Sequence, residues 1–338
     1  MTRVAIMGSG SWGTAFGMVL ADAGSEVTIW GRDAAAVEDI ALHHRNEAYH
    51  PGVVLPESIT ATPDAAEALA GASLVVLAVP AQVLRDNLMR WSADVEPDAV
   101  LVSLMKGVEL GTTMRMSQVI MAATGVDKAR VAVVSGPNLA REIAERQPAA
   151  TTVACADEAS ARHLQDACTT DYFRPYWTTD VIGTEIGGSV KNVIAVANGI
   201  AAGMGLGENS QASLITRGLA EMARLGVALG ADPLTFQGLA GVGDLVATCQ
   251  SPLSRNRTFG FNLGRGLSVE ETIAVTKQTC EAYKSCQPIL ELAREHGVEM
   301  PITEQVVAVL HEGQSPRMMA SAFMSREPKA EAQLHGAD

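Results

Sequence analysis

The sequence predicts an α/β half followed by an all-α half: an N-terminal doubly wound sheet, then an all-helical C-terminal domain. Three observations carry this reading. Short apolar β-type runs alternate with helical stretches from Arg3 to about Trp177. A glycine-rich turn, Gly8-Ser9-Gly10-Ser11-Trp12-Gly13, follows the first run directly. After Thr178 the β-type runs stop, and the remaining periodic stretches read as helices. The division is placed at residues 1–180 and 181–325, with 326–338 as a flexible tail.

Taken in order, Arg3 to Met7 reads as a strand, Thr14 to Ala23 as a helix and Glu26 to Trp30 as a second strand. That context makes the GxGxxG stretch a dinucleotide-binding turn of Rossmann type. Gly8 allows the tight turn, Gly10 lets a pyrophosphate approach the backbone, and Gly13 lets the helix pack on the strand. The helix N-terminus, from Ser11 and Trp12 on, then offers free N–H groups to the phosphates. The second strand of such a unit normally ends in an acid for the ribose of NAD. Here the chain reads Trp30-Gly31-Arg32-Asp33. Arg32 suits a 2′-phosphate, or stacking on adenine, so NADP is favoured and dual use with NAD stays open. Leu74 to Val79 is a continuous apolar run, as a strand buried on both faces should be, and Pro80 ends it. Gln82 to Trp91 is helical. Ala99 to Leu104 is the next strand, and Lys106 follows at its C-terminal edge, where ligands of open α/β sheets sit. Val131 to Val134 ends in Ser135-Gly136-Pro137-Asn138, and Asn138 fits the N-cap of a helix through Arg146. Ala149 to Ala154 and Tyr172 to Trp177 are late strands flanking a helix.

In the second half, Gly183 to Gly203 reads GTEIGGSVKNVIAVANGIAAG and is apolar on every side of a helix, hence buried. Lys191 and Asn192 stand inside it. Burial lowers the pKa of a lysine, and such a lysine serves as a base near neutral pH. The other reading is a first-turn lysine that snorkels to water. Ser210–Leu229, Leu234–Thr248, Val269–Gln278, Glu281–His296 and Thr303–Glu312 are also expected as helices. Arg217, Glu221 and Arg224 are spaced for pairing along one face. Gly241 to Arg257 is expected to be irregular.

Composition excludes several classes. Hydrophobic residues are 47% and charged residues 19%, which is globular. A net charge of −13 argues against nucleic-acid partners and anionic membranes, though not against a local basic pocket. Cys155, Cys168, Cys249, Cys280 and Cys286 form no CxxC pair, which suits reduced thiols in a cytosol. No metal motif occurs, since the adjacent His43 and His44 cannot share a helix face. No apolar stretch is long enough for a signal segment or a membrane span, so a soluble cytoplasmic protein is expected. The oligomeric state is left open, with a homodimer kept as one assembly.

Seven motifs in fixed order carry a family resemblance. They are GSGSWGTA, LAVPAQVLR, KGVE, SGPNLARE, GGSVKNVIAVANGIAAG, ITRGLAEMARLG and GLAGVGDLVATCQSPLSRN. Together they resemble the bacterial soluble NAD(P)-dependent glycerol-3-phosphate dehydrogenases, from Arg3 to about His311. The resemblance implies interconversion of sn-glycerol 3-phosphate and dihydroxyacetone phosphate, which supplies the phospholipid backbone. It implies Lys191 as proton acceptor, with Lys106 touching both substrate and cofactor. By its charge, Asp244 can hold Lys191 in place against the repulsion of Lys106. It places Ser11, Trp12, Arg32, Ala140, Arg255, Thr279 and Glu281 on the cofactor. It places Gly136, Asn138, Asn192, Asp244, Ser254, Arg255 and Asn256 on a small phosphorylated substrate. The chain departs from the pattern at Asn138, where serine is common, and at Glu208, where aspartate is usual. It departs again at Cys280-Glu281-Ala282-Tyr283, where VEGV-like residues are usual. Two other readings stay open: a related β-hydroxyacid dehydrogenase, which needs a carboxylate site, and a dinucleotide sensor without turnover.

Overall fold

The computed structural model of the chain describes residues 2–276 and 280–324. Thr279 and the tail 326–338 lie outside the described residues. The chain forms two compact units: Met1–Met105 with Met114–Val181, and Lys106–Thr113 with Ile182–Asp338. The segment carrying Lys106, read from sequence as part of the first 180 residues, thus groups with the helical half.

The first unit is built on eight strands. They are β1 (Arg3–Met7), β2 (Glu26–Trp30), β3 (Ile59–Thr62), β4 (Leu74–Leu77), β5 (Val100–Ser103), β6 (Val131–Ser135), β7 (Ala149–Cys155) and β8 (Phe173–Thr178). Their order is β3-β2-β1-β4-β5-β6-β7-β8. Every neighbouring pair is parallel except β6 with β7. The strands β4 and β6 are buried at every position, as expected for a sheet covered on both faces. The covering helices are α1 (Ser11–Asp22), α2 (Ala34–His43), α3 (Ala65–Leu69), α4 (Leu84–Trp91), α5 (Met116–Thr124), α6 (Ala140–Ala144) and α7 (Glu158–Ala167). Separate apolar clusters fill the two sides: Phe16, Val19, Ile29 and Phe173 in one, Leu69, Leu84, Leu88 and Trp91 in the other. The order runs outward from β1 in both directions, which places the end of β1 at the switch point. One sequence expectation is corrected here. Asn138 does not cap α6; Leu139 occupies that position, without a side-chain hydrogen bond. The Asn138 amide turns instead to Thr151, donating to its Oγ1 at 2.9 Å.

The second unit is helical. It contains α8 (Val181–Gly203), α9 (Glu208–Ala228), α10 (Asp244–Gln250), α11 (Arg255–Gly264), α12 (Val269–Thr276), α13 (Glu281–Glu295), α14 (Pro301–His311) and α15 (Pro316–Met324). Helix α8 is buried at every residue from Gly183 to Ala201. Its glycines explain how it is gripped. A Cβ at Gly199 would strike the Arg257 carbonyl, and one at Gly203 the Phe261 carbonyl. Reciprocally, a Cβ at Gly260 would strike the Val196 carbonyl and one at Gly264 the Ile200 carbonyl. Backbone therefore lies on backbone where α8 and α11 cross, and this close crossing fixes the start of α11 relative to the middle of α8. Gly187 does the same against the Ala240 carbonyl, bringing in the π turn Leu239–Gly243 that precedes α10.

One expectation for this half is also corrected. Gly241–Arg257 is not irregular; it is helical except for the break Ser251–Ser254. Glu221, spaced for pairing along one face with Arg217 and Arg224, turns into the core. It is 1% exposed and accepts from the Ile302 N–H at 2.5 Å and the Thr303 N–H at 3.3 Å. These are first-turn donors of α14, so a carboxylate from α9 caps a helix far away in sequence. Burial pushes the Glu221 carboxyl up to about 7, against the pull of those N–H groups and of Arg224.

Candidate active site

Lys191 sits mid-helix in α8, 6% exposed, with Asn192 beside it at 2%. It does not snorkel. Its ammonium donates to Asp244 Oδ1 and, at 2.7 Å, to Thr248 Oγ1. Asp244 opens α10 and is 1% exposed. Its other oxygen accepts from Lys106 Nζ at 2.6 Å. One carboxylate thus bridges two ammonium groups. Thr248 stands one helical turn after Asp244 and passes its own proton to the Asp244 carbonyl at 2.6 Å, which leaves its oxygen as acceptor for Lys191. Burial is the largest influence on Lys191 and pulls its ammonium down to about 8. Asp244 opposes that shift, and the like charge of Lys106 adds to it. Thr248 was missed from sequence, although its i+4 spacing from Asp244 was there to read.

Of the other residues expected on the substrate, Asn192, Ser254, Arg255 and Asn256 gather around α11 and α13. Ser254 is the N-cap of α11, accepting from the Arg257 N–H at 3.3 Å. Arg255 and Asn256 are the first two residues of that helix. The Arg255 guanidinium approaches Glu281 at 3.8 Å, and both side chains are nearly half exposed. Glu281 in turn accepts from Asn192 Nδ2 at 3.0 Å. Helix α11 therefore presents the Arg255 and Asn256 N–H groups, which bond to none of the described residues, and an arginine at the same end, an arrangement suited to an anion.

In the first unit, the glycine turn between β1 and α1 has Gly8 at φ +139°, a conformation that side chains rarely adopt. Its N–H donates to the Trp30 carbonyl at 3.0 Å. Gly13 lies against the Gly8 carbonyl, leaving no room for a Cβ. Gly10 is the opposite case: it opens α1 with no side-chain cap, and a Cβ there meets nothing within 4 Å. A helix N-terminus with uncapped N–H groups and open space in front fits a dinucleotide pyrophosphate. Trp12 Nε1 is buried without a hydrogen-bond partner among the described residues. The turn is braced by residues that sequence reasoning missed. Asn46 Nδ2 donates to the Ser9 carbonyl at 3.0 Å and to Thr14 Oγ1 at 2.9 Å. His50 Nε2 lies 2.8 Å from the Ser11 carbonyl, so that nitrogen carries the proton. Burial is the largest influence on His50 and lowers its pKa. No local pattern marks either residue.

Past the end of β2, Arg32 is exposed and makes no hydrogen bond or ion pair with the described residues. Asp33 is occupied as the N-cap of α2, accepting from the Ala35 N–H at 3.0 Å. At the end of β6, Gly136 takes φ +154°, and Ser135 Oγ and Asn138 Oδ1 are buried without partners among the described residues. Ala140 is the first residue of α6.

Comparison with known proteins decides the family. The NAD-dependent glycerol-3-phosphate dehydrogenase N-terminal profile matches residues 3–161, and its C-terminal profile matches 180–321. The chain belongs to this family. A glycerol-3-phosphate dehydrogenase [NAD(P)+] of Streptomyces griseus is 64% identical over 97% of this chain and 98% of its own. One from Thermobifida fusca is 61% identical over 98% and 99%. The crystal structure of glycerol-3-phosphate dehydrogenase from Coxiella burnetii superposes with a TM-score of 0.91 at 36% identity, over 96% of this chain and 98% of that one. The protein is accordingly an NAD(P)-dependent oxidoreductase that interconverts glycerol 3-phosphate and dihydroxyacetone phosphate. No helix among the described residues is long and apolar enough to cross a membrane.

Proposed function

We propose that Lys191 is the acid–base group of this dehydrogenase. The observation that supports it most is the Lys191–Asp244–Lys106 bridge, in which Lys191 and Asp244 are buried. Oxidising the C2 alcohol of glycerol 3-phosphate releases a hydride and a proton. When bound, NAD(P) supplies the hydride chemistry. Neutral Lys191 takes the alcohol proton, and in reverse its ammonium protonates the developing alkoxide. Lys106 adds positive charge that favours the neutral amine of Lys191. Asp244 fixes both lysines, and Thr248 orients the Lys191 nitrogen. Arg255, Asn256 and the Ser254-capped start of α11 take the substrate phosphate, and Asn192 binds the same substrate. Gly136 and Asn138 are carried forward as substrate contacts.

In this reading residues 1–180 bind the dinucleotide, and residues 181–325 carry substrate and proton chemistry. Gly8, Gly10, Ser11, Trp12 and Gly13 hold the pyrophosphate side, with Arg32 and Ala140. Lys106, Arg255 and Glu281 are also carried forward as cofactor contacts. The physiological role is supply of glycerol 3-phosphate for phospholipid synthesis. A homodimer and a cytoplasmic setting belong to the same reading; the acidic charge and the absence of any CxxC pair support the setting.

NADPH is the favoured cofactor, because Asp33 is engaged in capping while Arg32 is exposed. Arg32→Ala should raise KM for NADPH on the order of tenfold, the scale of a charge-assisted hydrogen bond, with a much smaller effect on NADH. Steady-state assays with dihydroxyacetone phosphate and each nucleotide check this. Equal effects on the two mean that Arg32 stacks on adenine and reads no phosphate.

A further inference from the structure

The start of α13 touches two substrate-side amides with opposite polarity. Glu281 is a carboxylate, so the Asn192 atom 3.0 Å from it must be the donor Nδ2, and the acceptor Oδ1 is left over. Asn256 is held the other way. The Ala282 backbone N–H lies 3.1 Å from its amide and can only donate, so Oδ1 faces it. The Cys280 thiol donates to the same oxygen at 3.2 Å. Asn256 Nδ2 donates to none of the described residues. Asn256 and Cys280 are each only 7% exposed, so water does not readily replace these bonds. Cys280 is the N-cap position of α13 and belongs to the Cys280-Glu281-Ala282-Tyr283 stretch where this chain departs from the family pattern.

From this geometry we infer that Cys280 is a positioning residue for the substrate phosphate. One donor fixes which end of the Asn256 amide faces α13. The second donor brackets the remaining lone pair of Oδ1 and sets the plane of the amide. Nδ2 is then aimed as a pre-oriented donor at the same helix end where Arg255 and the first-turn N–H groups of α11 collect. The cost of ordering the amide is met in the free enzyme and is not charged to substrate binding. Asn192, turned the opposite way by Glu281, keeps an acceptor for a substrate hydroxyl. The inference rests on the reading that Asn256 serves the phosphate.

The test compares dihydroxyacetone phosphate with unphosphorylated dihydroxyacetone on wild type, Cys280→Ala, Cys280→Ser and Asn256→Ala. Melting temperatures are measured alongside. Cys280→Ala should raise KM for the phosphorylated substrate roughly three- to tenfold, the scale of one hydrogen bond, with kcat within about twofold. Its kcat/KM for dihydroxyacetone should be unchanged. Cys280→Ser retains an O–H donor and should restore the wild-type KM. Equal losses on both substrates would show a structural cysteine and overturn the inference. A Cys280→Ala enzyme with wild-type KM, beside an Asn256→Ala enzyme selectively impaired on the phosphorylated substrate, would overturn it while leaving the phosphate role of Asn256 intact. An Asn256→Ala enzyme with no selective loss would overturn both.

Discussion

Replacing Lys191 by alanine should lower kcat by at least about a hundredfold in both directions while leaving NADPH affinity within about twofold. A positioned acid–base group is worth roughly two to four decades. Nothing else described is placed to take over. Thr248 already donates its proton to the Asp244 carbonyl, and Lys106 is held on the far oxygen of Asp244. The variant should fold, because Asp244 keeps Lys106 as its counter-ion and is not left as an unpaired buried charge. Nucleotide fluorescence titration separates binding from turnover. A folded variant within threefold of wild-type kcat would remove Lys191 from the mechanism.

The second large effect is expected at Arg255, where lysine should not behave as a conservative replacement. Arginine offers a planar fork that meets two phosphate oxygens in parallel, whereas lysine is a point charge. The phosphate is remote from the carbon that reacts, so gripping it also orients that carbon. The loose 3.8 Å approach to half-exposed Glu281 leaves the guanidinium available to an anion. Arg255→Lys should cost on the order of tenfold to a hundredfold in kcat/KM for dihydroxyacetone phosphate, the scale of a bidentate charge-assisted pair. The loss for dihydroxyacetone should be much smaller, since it has nothing for the fork to hold. Loss by the same factor on both substrates would make Arg255 structural or a cofactor contact only.

The fold was legible where a local pattern stood for a global one. The β1–glycine turn–α1 unit, the apolar runs of β4, β5 and β6 and the apolar α8 could be read because their periodicity is the packing. The strand β3 was missed: Ile59-Thr60-Ala61-Thr62 is four residues long and half threonine, and it becomes a strand by pairing with β2. Gly241–Arg257 is expected to be irregular and is not. Gly241 is a packing residue, with a Cβ position blocked by the Phe236 backbone, and the chain stays helical around it. The same split holds at the candidate site. The Lys191 reading came from a lysine set in a helix apolar on every side. The roles found for Glu221, Asn46, His50 and Cys280 come from contacts across long stretches of sequence, such as Cys280 with Asn256, and no spacing rule announces them. Asn138 was assigned to a cap on residue type alone, and the competing side-chain bond to Thr151 prevailed.

The acid–base role of Lys191 is tested most directly by measuring the hydride-transfer step against pH in both directions on one enzyme. Oxidation of glycerol 3-phosphate needs the neutral amine, so its rate should rise with pH and level off above about 8, where burial places the Lys191 ammonium. Reduction of dihydroxyacetone phosphate needs the ammonium, so its rate should hold at low pH and fall through the same value. The two curves should mirror each other, and both inflections should vanish in Lys191→Ala. Curves that move in the same direction, or an inflection that survives in Lys191→Ala, would contradict the assignment.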